Sequence, residues 1–235
     1  MHRNSLTILA ASVAGLLTTV PALMAASFYT PVSVTSSTAG SDLFPVINMI
    51  QGPGVGYDAA EPHNQLGPTG DSATRWVTAA PGGFPSDYIA IAGPVTLTFD
   101  LGADRSLSEV SYWGYTTSNA NGVSSFNLSF ATTADGLAGF GTSVTYNPTF
   151  NPVIDDLARQ SFPFSQGVTA RYVQMVATDN FYSGGGFGPP PGGDRVGAGE
   201  LAFAIPEPAM PLLGGIAGLA LCCRRSKRSD GDVLR

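Results

Sequence analysis

Val95-Thr96-Leu97-Thr98-Phe99-Asp100-Leu101 alternates without a break: apolar at every odd position, polar at every even one. A period of two sends successive side chains to opposite faces of an extended chain. The stretch therefore predicts a half-buried strand, one face on a core and the other in water. Phe126-Asn127-Leu128-Ser129-Phe130 repeats the pattern. Shorter apolar runs at Val110 to Tyr115, Val144 to Tyr146, Arg171 to Ala177 and Leu201 to Ala204 read as further strands, parted by Gly, Pro, Asn and Asp. No stretch between the two ends of the chain carries a helical period. Strands this numerous and short predict an all-β fold, a β-sandwich or a jelly roll.

The two ends have a different character. His2 and Arg3 precede an apolar run from Leu6 to Leu17, and the small residues Ala25-Ala26-Ser27 follow Pro21. This is the pattern of a secretory signal peptide, residues 1–26, cut near Ala25 or Ala26. A retained membrane anchor is the alternative. At the other end stand Pro206-Glu207-Pro208, an uncharged apolar stretch from Ala209 to Cys223, the basic cluster Arg224-Arg225-Ser226-Lys227-Arg228 and a tail, Ser229 to Arg235. The prolines disfavour helix and keep the triplet extended. As a helix the apolar stretch would span about 22 Å, a short transmembrane segment, and the basic cluster predicts a cytoplasmic C-terminus. Triplet, apolar helix and basic stop together resemble the PEP-CTERM sorting signal of Gram-negative bacteria, over residues 205–228. The resemblance implies an exosortase-type processing enzyme as partner, acting at Pro206, Glu207 and Pro208. It also implies passage through the Sec pathway and a membrane contact through the helix before processing. The destination is the cell envelope, cell surface or extracellular matrix of a Gram-negative-type bacterium.

Between the ends, residues 27–205 hold five arginines, no lysine and fourteen carboxylates, net −9. Such a domain repels nucleic acid and anionic lipid surfaces and suits neutral sugars, cations or a Ca2+-bridged matrix. The only cysteines are Cys222 and Cys223, both in the tail, so the exported part has neither a disulfide nor a thiol nucleophile. Two long stretches, Gln51 to Thr74 and Phe181 to Gly199, are loops rich in Gly and Pro.

An ordered set of landmarks resembles the discoidin, or coagulation-factor type C, domain of the galactose-binding-like superfamily. These are Asn48-Met49-Ile50-Gln51-Gly52, Gly70-Asp71-Ser72-Ala73-Thr74-Arg75-Trp76, Leu97-Thr98-Phe99-Asp100-Leu101-Gly102, Leu107 to Gly114, Ala170-Arg171-Tyr172-Val173-Gln174-Met175 and Gly197-Ala198-Gly199-Glu200-Leu201-Ala202-Phe203. The set covers residues 46–204, with 27–45 as a segment ahead of it, and implies an eight-stranded antiparallel jelly roll. On physical grounds Trp76 and Trp113 belong between the sheets, and Arg171 and Tyr172 serve strand packing and a hydrogen-bond bridge.

The resemblance also implies a structural Ca2+ at Asp71, Thr74 and Glu200, since a hard cation needs six to eight oxygens. The competing reading has Asp71 capping a turn and Glu200 paired with Arg75. A glycan site would lie on the loops at one end of the sandwich, built from an aromatic platform and planar polar groups. Tyr57, His63, Asn64, Tyr115, Asn119, Asn121, Phe181 and Tyr182 are the candidates; the same aromatics also fit a loop tip packed on its own scaffold. Catalysis finds little footing: His63 is the single histidine of the exported part, and no serine sits in a nucleophile elbow. The expected function is non-catalytic binding of glycan or exopolysaccharide. A purely structural matrix component without a ligand pocket comes second and a glycan-active enzyme third.

Overall fold

A computed structural model of the chain describes residues 26–51, 59, 75–115, 119–154, 158–184 and 192–206. The signal peptide up to residue 25 and everything from residue 207 onward lie outside them. Among the described residues, no helix is long and apolar enough to cross a membrane.

The described residues form nine strands and one short helix, in order β1 Phe28–Tyr29, β2 Ser33–Ser36, β3 Trp76–Val77, α1 Tyr88–Ala92, β4 Val95–Trp113, β5 Val123–Ala131, β6 Thr149–Phe150, β7 Gln160–Asn180, β8 Gly197–Ala198 and β9 Glu200–Ala204. The 3-10 turns Val46–Ile50 and Gly136–Gly139 lie among them. Seven strands form one antiparallel sheet, ordered β1-β9-β4-β7-β5-β6 with β2 also on β4, while β3 and β8 make a second small sheet.

The alternation over residues 95–101 is what the structure uses. Val95, Leu97, Phe99 and Leu101 are buried, while Thr96, Thr98 and Asp100 face outward. The expectation of uniformly short strands fails, because β4 and β7 run for 19 and 21 residues. Each folds over and serves both layers. The first half of β4 pairs with β2 and with the second half of β7, placing Phe99 opposite Val173. Its second half pairs with β9 and with the first half of β7, placing Val110 opposite Phe203 and Phe162. The register slips between Asp100 and Arg105 and between Leu107 and Glu109, where the strands turn over. Such irregularities sharpen local twist and let one strand pass between layers.

Gly102 makes the turn possible. Its φ is +78°, and a Cβ there would come within 3.1 Å of Val32. The Asp100 carboxylate accepts the Gly102 N–H at 2.7 Å and takes the Arg171 guanidinium through two bonds of 2.9 and 3.0 Å. Asp100-Leu101-Gly102 is thus a bend inside a strand rather than a strand end. Arg171 is a bridge, as its position beside a strand carboxylate suggests, and its guanidinium also lies 4.9 Å from the centre of the Tyr172 ring.

Rings join the two layers. Phe99 meets Phe203 edge-on at 5.5 Å and Tyr112 stacks on Phe126 at 5.8 Å. Four half-buried rings, Tyr146, Phe150, Phe162 and Phe164, close the side of the sandwich against Phe126 and Phe130. Val144 to Tyr146 is therefore no strand; Tyr146 stacks on Phe130, and its hydroxyl accepts the Ser165 N–H at 3.0 Å. Trp76 lies in the main core, but Trp113 does not lie between the sheets. It follows Tyr112 by one residue, so the pleat sends it outward, where it packs with Phe28, Ala202 and Ala204. Strand β4 ends at Trp113, two residues short of the expected limit at Tyr115. Residues 28–36, expected ahead of the sandwich, supply β1 and β2. The helical turn Tyr88–Ala92 is too short to show a period; Asp87 caps it by accepting the Ala90 N–H at 3.1 Å.

The pairing gives the sandwich two distinct ends. Strand β4 starts at one end at Val95, turns over at residues 102–108 and returns to Trp113. Strand β7 makes the reverse journey, from Gln160 opposite Tyr112 to Asn180 opposite Val123. The turn-over segments make the fold-over end, and the connections after Trp113, before Val123, after Asn180 and before β8 gather at the loop end.

Candidate functional site at the loop end

Five of the eight glycan candidates, Tyr115, Asn119, Asn121, Phe181 and Tyr182, come together at the loop end. Tyr57, His63 and Asn64 lie outside the described residues, as do Asp71 and Thr74 of the expected metal set and Glu207 and Pro208 of the sorting triplet.

Asn121 is the hub. Its side-chain oxygen accepts three successive backbone N–H groups, from Gly193 at 3.0 Å, Asp194 at 3.1 Å and Arg195 at 3.1 Å. Its own carbonyl accepts the Gly197 N–H at 2.8 Å, and its N–H donates to the Asn119 side-chain oxygen at 2.9 Å. The carboxamide of this one residue fixes the path of residues 193–195, and its backbone carbonyl holds Gly197. Asn180 assists: its side-chain nitrogen donates to the Arg195 carbonyl at 3.2 Å, and its oxygen accepts the Tyr182 N–H at 3.1 Å. Thr78 holds the next residue, its hydroxyl accepting the Val196 N–H at 3.1 Å. The Gly193 carbonyl accepts the Ser86 N–H at 2.6 Å, which ties the segment around Phe84 to the same strip.

The aromatics sit on glycines. The Tyr182 ring lies against Gly193, where a Cβ would meet it at 2.2 Å; Gly193 also has φ +114°. The Phe181 ring lies against Gly122, whose carbonyl accepts the Phe181 N–H at 3.0 Å. Tyr115 packs on Gly197 with the Arg75 guanidinium 5.6 Å from its ring centre. Burial raises the Tyr115 phenol above its ordinary range, the charges of Arg75 and Arg195 oppose the rise, and Asp194 adds to it. Asp194 and Arg195 lie at 3.5 Å from one another, both partly exposed.

The sequence reading left out three residues here. Asp194 and Arg195 are carried on the strip that Asn121 holds. Phe84 lies two residues from the Ser86 anchor at the loop end and is 47% exposed. Its signal was the setting Pro81-Gly82-Gly83-Phe84-Pro85, an aromatic in a turn-forming run.

Of the expected metal set only Glu200 is described. It is fully buried on β9 opposite Trp113. Among the described residues no group of three or more His, Cys, Asp or Glu could hold a metal ion.

No protein-family model matches the chain, and no curated protein sequence does. Solved structures do. One is the family 32 carbohydrate-binding module of Clostridium perfringens NanJ in complex with galactose, at 13% identity and a TM-score of 0.46 over 76% of this chain and 98% of that one. Another is chitosan-binding module 1 of a chitosanase/glucanase from Paenibacillus sp. IK-5, at 15% identity and 0.42 over 75% and 97%. A third is the lectin domain of Lectinolysin complexed with Lewis B antigen, at 13% identity and 0.45 over 74% and 92%.

Proposed function

We propose that this chain is an exported, non-catalytic glycan-binding protein of the cell envelope or extracellular matrix, which takes sugar at the loop end. The observation that carries the reading is the strip 192–195. Tyr182 lies on it, the Phe84 segment is bonded to it, and it presents Asp194 and Arg195 while Asn121 holds its backbone. A sugar ring binds by laying an apolar face on an aromatic ring and exchanging its hydroxyls with planar polar groups. A strip already fixed by hydrogen bonds loses little freedom when a ligand arrives. Within this reading the apolar tail holds the protein at the membrane until an exosortase-type enzyme processes it at Pro206-Glu207-Pro208. A Ca2+ at Asp71, Thr74 and Glu200 would be structural.

The test is a glycan array on the purified protein, with Ca2+ and with chelator. Saturable binding to a defined sugar, lost in Tyr182→Ala and in Asp194→Asn, is expected. No binding by a well-folded protein would overturn the reading. The alternative, a structural matrix component without a ligand pocket, has its own support: Asn119, Asn121 and Phe181 all spend their interactions on the scaffold of the loops. A chelator that leaves the melting temperature unchanged would remove the metal, because a ion bound to the native state alone must stabilise it. Unchanged distribution of the protein after replacing the triplet would remove the processing step.

A further inference from the structure

The chain leaves the sandwich at the fold-over end. Strand β9 starts near the loop end, with Glu200 opposite Trp113, and runs away from it to Ala204. Phe28 pairs with Ala204, and the Ile205 N–H donates to the Ser27 carbonyl at 2.8 Å. Residues 27 and 205 are therefore neighbours. Both ends of the described sandwich therefore lie at one place, at the opposite end of β9 from Tyr115, Tyr182 and Asp194, and in the sequence the apolar stretch Ala209 to Cys223 begins four residues after Ile205.

We infer that the sandwich stands on a lipid bilayer by its fold-over end and presents its loop end away from the membrane. The inference rests on the tail-anchored reading above and adds the orientation. The tether is short: residues 205 to 209 reach at most about 14 Å when fully extended. The first half of β4, Val95 to Leu101, spans about 20 Å between the two ends. A tether shorter than the domain, fixed at its far end, does not let the loop end touch the membrane by inversion. The fold-over end also exposes apolar side chains, Val32 at 63% beside Gly102 and Leu137 at 60% beyond the end of β5, which suit the headgroup boundary. A ligand site that points outward from the membrane is open to a polymer too large to enter the space beneath a tethered domain.

The experiment uses the full chain with Cys222→Ser and Cys223→Ser, reconstituted into phosphatidylcholine vesicles containing a lipid with a nitroxide on its headgroup. A single fluorophore is attached through Gly167→Cys at the fold-over end, where a Cβ meets nothing, or through Ser183→Cys at the loop end, which is exposed. Co-flotation is read first. The expected result is that both proteins float, that the label at 167 is quenched and that the label at 183 keeps its emission. Flotation with equal quenching at both positions, or with quenching at 183 alone, overturns the orientation and leaves the anchor standing. Failure to float overturns the anchor and the orientation with it, and leaves the glycan reading to its own test.

Discussion

Asn121 shows how much of a loop one side chain can fix. A carboxamide oxygen has two lone pairs, and here it faces three N–H groups in a row. Removing it leaves those donors without their acceptor, and each buried one costs about 1–3 kcal/mol. Asn121→Ala should therefore lower stability by about 2–4 kcal/mol and weaken any glycan binding, read by urea unfolding and by titration. Asn121→Asp keeps the acceptor and adds charge, so it should retain most of both; a loss as large as that of the alanine would show that the hydrogen bonds are not what holds the strip. Gly193 is a separate constraint on the same strip. Gly193→Ala should be destabilising through its φ of +114° and through Tyr182, and Tyr182→Ala should recover only the steric part. At this scale the sequence was half legible. It named Asn121, Asn119, Phe181 and Tyr182 as polar and aromatic residues in loops, which is where they are. It could not show that Asn121 and Phe181 serve the loop itself, because the residues they touch lie about sixty to seventy positions away. Asp194 and Arg195 went unnoticed for the same reason.

Strand β4 was legible in its first half and not in its second. The alternation over residues 95–101 needs only local information. The turn-over at 102–108 depends on a glycine, the Asp100–Arg171 pair and a partner strand that bends with it. A second ion pair just beyond it carries a pH dependence. On the outer face of β4, burial alone would raise the Glu109 carboxyl, but bonds from Ser111, Ser161 and Arg159, with the charge of Arg159, outweigh it and hold the group below its ordinary value of 4.5. A carboxyl whose folded value is depressed contributes stability that is present above its unfolded value and is lost as pH falls through the folded one. The protein should therefore lose stability on acidification below about pH 4.5. Glu109→Gln should be less stable at pH 7 and should flatten that acid limb. Ser111, whose hydroxyl donates to Glu109 and accepts from Arg159 Nε, both at 2.7 Å, ties the pair to the strand. An unchanged acid limb in the variant, followed by thermal unfolding from pH 3 to 7, would show that Glu109 makes no difference there. Asp100 is held low by the Arg171 bonds against the cost of burial, with a further contribution from the Gly102 N–H, and its share of the acid limb has the same sign.

A sandwich made of two separate sheets can lose one before the other. This molecule has a different connectivity: β4 and β7 run through both layers, so neither layer has a boundary at which to part. The jelly-roll expectation captured the antiparallel two-layer architecture, and it missed this continuity because strand length is set by where a chain can bend, not by the pattern of any one stretch. The consequence is cooperativity. Phe99 lies on the first half of β4 and Phe203 on β9, and their rings meet at 5.5 Å. Truncating either to alanine should cost about 3–5 kcal/mol, and the double variant should fall short of the sum by about 1 kcal/mol. The two tryptophans report on the molecule independently, since Trp76 is in the main core and Trp113 in the small cluster on the outer face with Phe28. In Trp113→Phe the fluorescence follows the core; in Trp76→Phe it follows the outer face. In each variant the fluorescence transition should coincide with that of far-ultraviolet circular dichroism in urea, the mark of a single cooperative unit. If the Trp113 signal changed at a lower urea concentration than the dichroism, the outer cluster would open on its own, and the strands shared between the layers would not be enough to couple it to the core.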